Sequence, residues 1–297
     1  MAGLLAAAVC AAGAAPAAAD HHASNLPWPY LLPAQPTSKK VQPHGVRNCR
    51  RSSIRCLDGL VRRLERQWRP LDAACDHRAL FSLSYLRISE GLREDLGRRR
   101  PRFFRHRKWM QLVITTFSNR YFQAFAGYER GRPIPSSWRI TFDEAARGDA
   151  HAGQDVLLAS NAHTQHDLPY AYAEMGLRTR RGRSRKHDHD GVNEINTRVF
   201  DELEDEFTRR YDPTFALVDL KPSPLDELGS GELVKLWREG AWRNAERLVN
   251  ARTRAQRRRV AASIETTSRV WAQFIASGRL PGHRALRDAH CRAFHAR

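Results

Sequence analysis

The chain has 297 residues, 41% of them apolar, and a formal net charge of +18. That apolar share supports a packed core and excludes a disordered or collagen-like polymer. The charge is nearly all arginine, since lysine occurs only at 39, 40, 108, 186, 221 and 235. It favours nonspecific association with anionic partners, says nothing about fold, and also fits the arginine and alanine usage of a GC-rich coding sequence.

In chain order, Leu4 to Ala15 is a short apolar run followed by Pro16-Ala-Ala-Ala19. This is the h-region and cleavage pattern of a secretory signal over residues 1–19, with no basic n-region before it. The run is too short to span a membrane, and no later stretch is long and uncharged enough to do so. Residues 20–48, with Leu26-Pro-Trp-Pro-Tyr30 and Pro33-Ala-Gln-Pro36, read as an extended Pro-rich arm. A secreted or extracytoplasmic chain cut after residue 19 keeps Cys49, Cys56, Cys75 and Cys291. That even number predicts two disulfides with three possible connectivities, at least one stapling the arm to the first helices.

Helical periodicity then dominates, and no alternating strand pattern bounded by hairpin turns is found. The spacing predicts helices over about Ser53–Gln67, Asp72–Gly97 and Trp109–Tyr128, and a short one from Trp138 capped by Ser136 or Ser137. Further helices are expected over Ala152–Met175, from an Asp190 N-cap through Phe207, and over Gly231–Ala276, the last long enough to be two. The fold class is all-α: one compact domain of about seven to nine helices over residues 49–280, flanked by the arm and by a C-terminal arm at 281–297.

The stretch richest in chemistry runs from Asn161 to Asn193. Steps of three and four put Val156, Ala159, Ser160, His163, Asp167 and Tyr170 on one helix face, so His163 and Asp167 point inward together. Buried polar groups of this kind need partners, since an unpaired one costs roughly 2 kcal/mol or more. Pro169 cannot donate to the Gln165 carbonyl, which predicts a kink beside the pair. Asp188, His189 and Asn193 open the next amphipathic helix. If the two helices pack, His163, Asp167, Asp188, His189 and Asn193 converge, a nitrogen and oxygen set that suits a divalent metal. The competing reading is a structural His–Asp hydrogen bond beside a helix cap.

Taken together, Cys49…Cys56, Cys75-Asp76-His77, Trp138-Arg-Ile140, Asn161-Ala-His163…Asp167-Leu-Pro169, Lys186-His-Asp188-His189…Val192-Asn193 and Trp237-Arg-Glu239…Trp242 resemble a family of exported actinobacterial helical proteins. That family is classed only as a domain of unknown function. The resemblance covers nearly all of the chain after the arm and implies a helical fold and export, but brings no activity. It supports treating the five site residues as one set, with Asp76, His77 and Asn161 as additional candidates and His166 and His187 as local variations.

Two functional expectations follow. In the first, His163, Asp167 and His189 hold one divalent ion, zinc foremost, which lowers the pKa of a bound water to about 7 for hydrolysis. Asp188 then serves as base or ligand orienter, and Asn193 binds substrate or serves as a further ligand. The basic loop before them, with Arg183, Arg185 and Lys186, favours a small anionic substrate such as a phosphoester or lipid-like molecule. In the second, a noncatalytic module binds the anionic cell envelope, or less favourably nucleic acid, through its arginine surface, and the His/Asp cluster only locks two helices. In a third variant a metal merely stabilises the fold.

Overall fold

A computed structural model of the protein describes residues 28–32, 38–39, 53–215 and 229–297. The leader and most of the expected Pro-rich arm lie outside the described residues. A single helical turn, α1 (Trp28–Leu31), precedes α2 (Ile54–Ala73), α3 (Ala79–Gly97), α4 (Arg107–Glu129), α5 (Ser136–Arg147) and α6 (Ala152–Asn161). A π-helical segment (Ala162–Asp167) leads into α7 (Leu168–Met175), followed by α8 (Lys186–Arg210), α9 (Gly229–Asn250), α10 (Arg254–Ala276) and α11 (His283–His295). No strand occurs among the described residues, only an isolated bridge between Arg178 and Ser184. The all-α expectation therefore holds.

The burial pattern explains the layering. In α2 the buried residues Leu57, Leu60, Leu64, Trp68 and Leu71 form one stripe, as in a helix with one wet face. In α3 every residue from Ala79 to Leu86 is buried, and α4 buries eleven of its residues, so these two form the middle of the molecule. Gly91 lets α8 lie close to α3: a methyl there would sit 3.0 Å from Ile195 Cγ2. Gly191 does the same for the chain entering α4, where a methyl would meet the Phe103 carbonyl at 2.4 Å.

Several boundaries moved for local reasons. Asp72 lies in the last turn of α2 instead of opening α3, and its carboxylate accepts from the Tyr211 hydroxyl. The α5 N-cap is Pro135, and the Ser136 N–H is satisfied by Glu265 Oε1 at 2.9 Å, so no serine side chain caps it. The long C-terminal pattern breaks into α9 and α10 at a Thr253–Gln256 capping box. The segment expected as a C-terminal arm carries α11, tied back by a Cys75–Cys291 disulfide. Cys56 is disulfide-bonded as well. No helix among the described residues is long and apolar enough to cross a membrane.

Candidate functional site

The predicted kink is a π-helical turn. Pro169 has no N–H for the Gln165 carbonyl, and the Leu168 N–H reaches back to the His163 carbonyl, a five-residue step. A turn of this kind takes more than four residues, so side chains four apart come almost into eclipse. His163 Nδ1 and Asp167 Oδ2 accordingly lie 3.0 Å apart, both residues 3% exposed. The Trp138 indole N–H donates to the same oxygen at 2.9 Å, and His166 Nδ1 bonds Asp167 Oδ1 at 2.8 Å. His166 Nε2 lies 3.2 Å from Glu265 Oε2 on α10. His166, set aside as a local variation, is thus part of the network.

The charges follow from these contacts. Burial alone would raise the Asp167 carboxyl, but hydrogen bonds from His163 and His166 outweigh it and hold it at about 2. Burial opposes charge on His166 too, yet Asp167 and Glu265 on either side lift it to about 9. Glu265 is lowered to about 2, chiefly by the His166 hydrogen bond. His163 is pushed down by burial, against the pull of Asp167. At neutral pH the site therefore holds an ionised Asp167, an imidazolium at His166 and a neutral His163 with its proton on Nδ1. His163 Nε2 is buried with no hydrogen-bond partner. Its ring stacks on Phe117 at 3.5 Å and meets Tyr85 edge-on at 4.8 Å.

The second half of the predicted set is distributed differently. Asp188, fully buried, accepts from the Arg105 and His106 backbone N–H groups at 2.6 and 2.8 Å and from His106 Nδ1 at 2.7 Å. It caps the entrance to α4 and touches neither His163 nor His189. The expected Asp190 N-cap does not form, because α8 starts earlier, at Lys186, and Asp190 pairs with that lysine one turn back. His189 Nδ1 bonds the Tyr172 hydroxyl at 2.8 Å. Asn193 Oδ1 accepts from Arg238 Nε at 2.6 Å, and Arg238 Nη2 donates to the His189 carbonyl at 2.6 Å.

What the two helices share is a cavity of about 70 Å³. Phe81 and Tyr85 of α3, Phe117 of α4, His163 and Thr164 of the π-helical segment, Tyr172 of α7, Val192 and Asn196 of α8, and Arg238 of α9 contribute to its wall. His163 lines it directly. His189 and Asn193 stand behind Tyr172 and Arg238. A mostly apolar cavity with a few convergent polar groups is the usual form of a small-molecule site.

Of the additional candidates, Asn161 joins the π-helical segment to α10: its amide donates to the Ser268 carbonyl at 2.8 Å and accepts from Gln165 at 2.7 Å. Asp76 pairs with Arg78. His77 bonds Asp288 at 3.0 Å and belongs to a separate cluster with Asp155 and Arg287; burial and Arg287 bring it down to about 4. The basic loop does not line the cavity. Arg185 donates to the Met175 and Gly176 carbonyls, Lys186 pairs with Glu239 at 2.8 Å, and Arg183 remains exposed.

Metal-ligand geometry arises at three places among the described residues, and His163 and Asp167 belong to none of them. The expected set of His163, Asp167 and His189 does not meet, because the first two bond each other and the third bonds Tyr172. In the Cys75, Cys291 and His295 group the sulfurs are in a disulfide. In the His151, Asp212 and His283 group the Gly153 N–H donates to His151 Nδ1, which leaves the proton of the neutral ring on Nε2. In the His189, Asp190 and Glu239 group the Lys186 ammonium binds both carboxylates.

Trp138, His166, Tyr172, Arg238 and Glu265 escaped sequence reasoning as site residues. Trp138 and Arg238 lay within the motifs that carried the family resemblance, a signal that was present; Glu265 had none. A family described as being of unknown function matches residues 57–278. No curated protein and no solved structure matches the chain.

Proposed function

We propose a function for a chain that belongs to the DUF5995 family: it binds a small, mainly apolar molecule in the cavity between α3, α4, α7, α8 and α9 and uses the His163–Asp167 pair on it as an acid–base group. The observation that carries this reading is the buried, unpartnered Nε2 of a neutral imidazole that lines the cavity. A carboxylate on Nδ1 fixes the tautomer and stabilises the imidazolium that forms when Nε2 takes a proton. An unpaired acceptor in dry surroundings costs about 1–3 kcal/mol, which a donor on the ligand offsets. The reading needs no metal at His163, since all the oxygen contacts of Asp167 go to Trp138, His163 and His166.

Ring-nitrogen NMR of histidine-labelled protein tests it. One imidazole absent from the His163→Gln spectrum should show a protonated Nδ1 and a bare Nε2 at neutral pH. Phenol should shift that signal. A protonated Nε2, or no response to phenol or any other single-ring probe, would sink the proposal.

Two features support a wider setting. The leader-like residues 1–19 and the disulfide chemistry favour export, tested by reporter fusion and by a change in migration on reduction. Exposed Arg252, Arg254, Arg257, Arg258 and Arg259 at the start of α10 favour contact with an anionic surface. Such binding should fall steeply with salt and be unchanged in His163→Gln.

A further inference from the structure

We infer that the molecule taken into the cavity is a small carboxylate with an apolar body, its charge paired with Arg238; this rests on the reading of the cavity just given. Among the described residues two arginines are almost fully buried, and they are served differently. Arg287, 1% exposed, has Asp155 at 2.8 Å and Asp212 at 3.8 Å. Arg238, 5% exposed, has only neutral acceptors: the Asn193 amide oxygen and the His189 carbonyl, with the Tyr172 hydroxyl beside it. Among the described residues no carboxylate oxygen forms an ion pair with it inside 4.0 Å. Asp190, near enough to feel the Arg238 charge, and Glu239 are both paired with Lys186 and neither lines the cavity. A guanidinium removed from water calls for an anion, and its planar fork matches a carboxylate. Arg238 lines the cavity, so a bound ligand is in a position to supply one.

A second polar group stands on the same cavity. Asn196 lies one turn along α8 from Asn193, lines the same cavity, and has a buried amide oxygen without a partner. Turned end for end, that amide offers N–H to a carboxylate. At the π-helical wall, His163 Nε2 asks for a donor. The complementary ligand thus carries a carboxylate and, elsewhere on an apolar frame, a hydroxyl. A water needs about 10–15 Å³ by the same measure of space, so 70 Å³ takes a single ring or short chain and not a long acyl tail.

Calorimetry on the full chain with 4-hydroxybenzoate, benzoate, phenol and phenyl phosphate tests the inference. Benzoate and 4-hydroxybenzoate should bind at least tenfold more tightly than phenol to the unaltered protein. Arg238→Gln should abolish that preference. His163→Gln should weaken 4-hydroxybenzoate more than benzoate and keep the preference for acids. Equal binding of benzoate and phenol overturns the carboxylate while leaving the acid–base cavity standing. Phenyl phosphate binding more tightly than benzoate overturns it in favour of a phosphate. If no probe binds, the cavity reading fails and the inference fails with it. The wild-type comparison decides even if Arg238→Gln does not fold.

Discussion

His163 and His189 are equally hidden, 3% and 1% exposed, and each has its Nδ1 engaged by a neighbouring side chain. They differ in the partner. His163 faces an ionised carboxylate, which holds the proton on Nδ1 and leaves Nε2 as an open acceptor on the cavity. His189 faces the Tyr172 hydroxyl, and burial with the nearby Arg238 and Lys186 charges drives its pKa well below the usual value. A buried imidazole thus becomes a proton acceptor when an anion holds its Nδ1 and a strut when a neutral hydroxyl does, even with the Asp190 carboxylate 3.8 Å from its other nitrogen. Burial alone does not tell the two apart.

The comparison can be broken most forcefully at Asp167. Asp167→Asn leaves the His166 charge with one counter-ion and misdirects the His163 proton. It should cost about 3–5 kcal/mol in urea unfolding, as loss of one partner from a buried ion pair does. A loss below 1 kcal/mol would show that the carboxylate is not what organises this wall.

The pH dependence comes next. His166 titrates at about 9 when folded and near 6.5 when unfolded, so its contribution is complete below about 6.5 and is lost as pH rises through 9. The shift corresponds to on the order of 3 kcal/mol, belonging to one network with Asp167 and Glu265 and counted once. Asp167 behaves oppositely: its contribution is present above about 4 and lost as pH falls through about 2. Melting temperature followed from pH 6 to 10 should decline in the native protein and stay nearly flat through this window in His166→Gln. A decline of equal size in both would refute the assignment.

Asp188→Ala removes the cap of α4 and should cost about 1–2 kcal/mol. Probe binding in the cavity should be untouched, because Asp188 does not line it. A loss of binding with no loss of stability would return Asp188 to the site. Tyr172→Phe, on the His189 side, should cost about 1–3 kcal/mol, because its hydroxyl serves both His189 and Arg238. A far larger cost would mean that His189 is more than a strut. Arg183→Ala should change neither stability nor binding, and any fall in cavity affinity would restore the basic loop as a substrate contact.

Much of this molecule was legible in the order of its residues. The stripe of α2, the aromatic spacing of α4 and the inward pairing of His163 with Asp167 follow from helical periodicity, a local property that each segment carries. Pro169 marked the place where the α-helix must yield, because a missing N–H is also local. The partners of Asp188, His189 and Asn193 were not legible. Asp188 and His189 are adjacent in sequence, yet one serves α4 and the other α7, since neighbours on a helix point about 100° apart.

The sequence by itself determined the helices, their buried faces and which polar residues must enter the interior, since these depend on side-chain type and spacing along one segment. Only the tertiary structure decided that His163 bonds Asp167 beside an apolar cavity while His189 bonds Tyr172 behind it. That outcome rests on Trp138, Tyr172, Arg238 and Glu265, which arrive from helices distant in sequence. Which atom pairs with which is fixed by how those helices cross, and no local pattern encodes that.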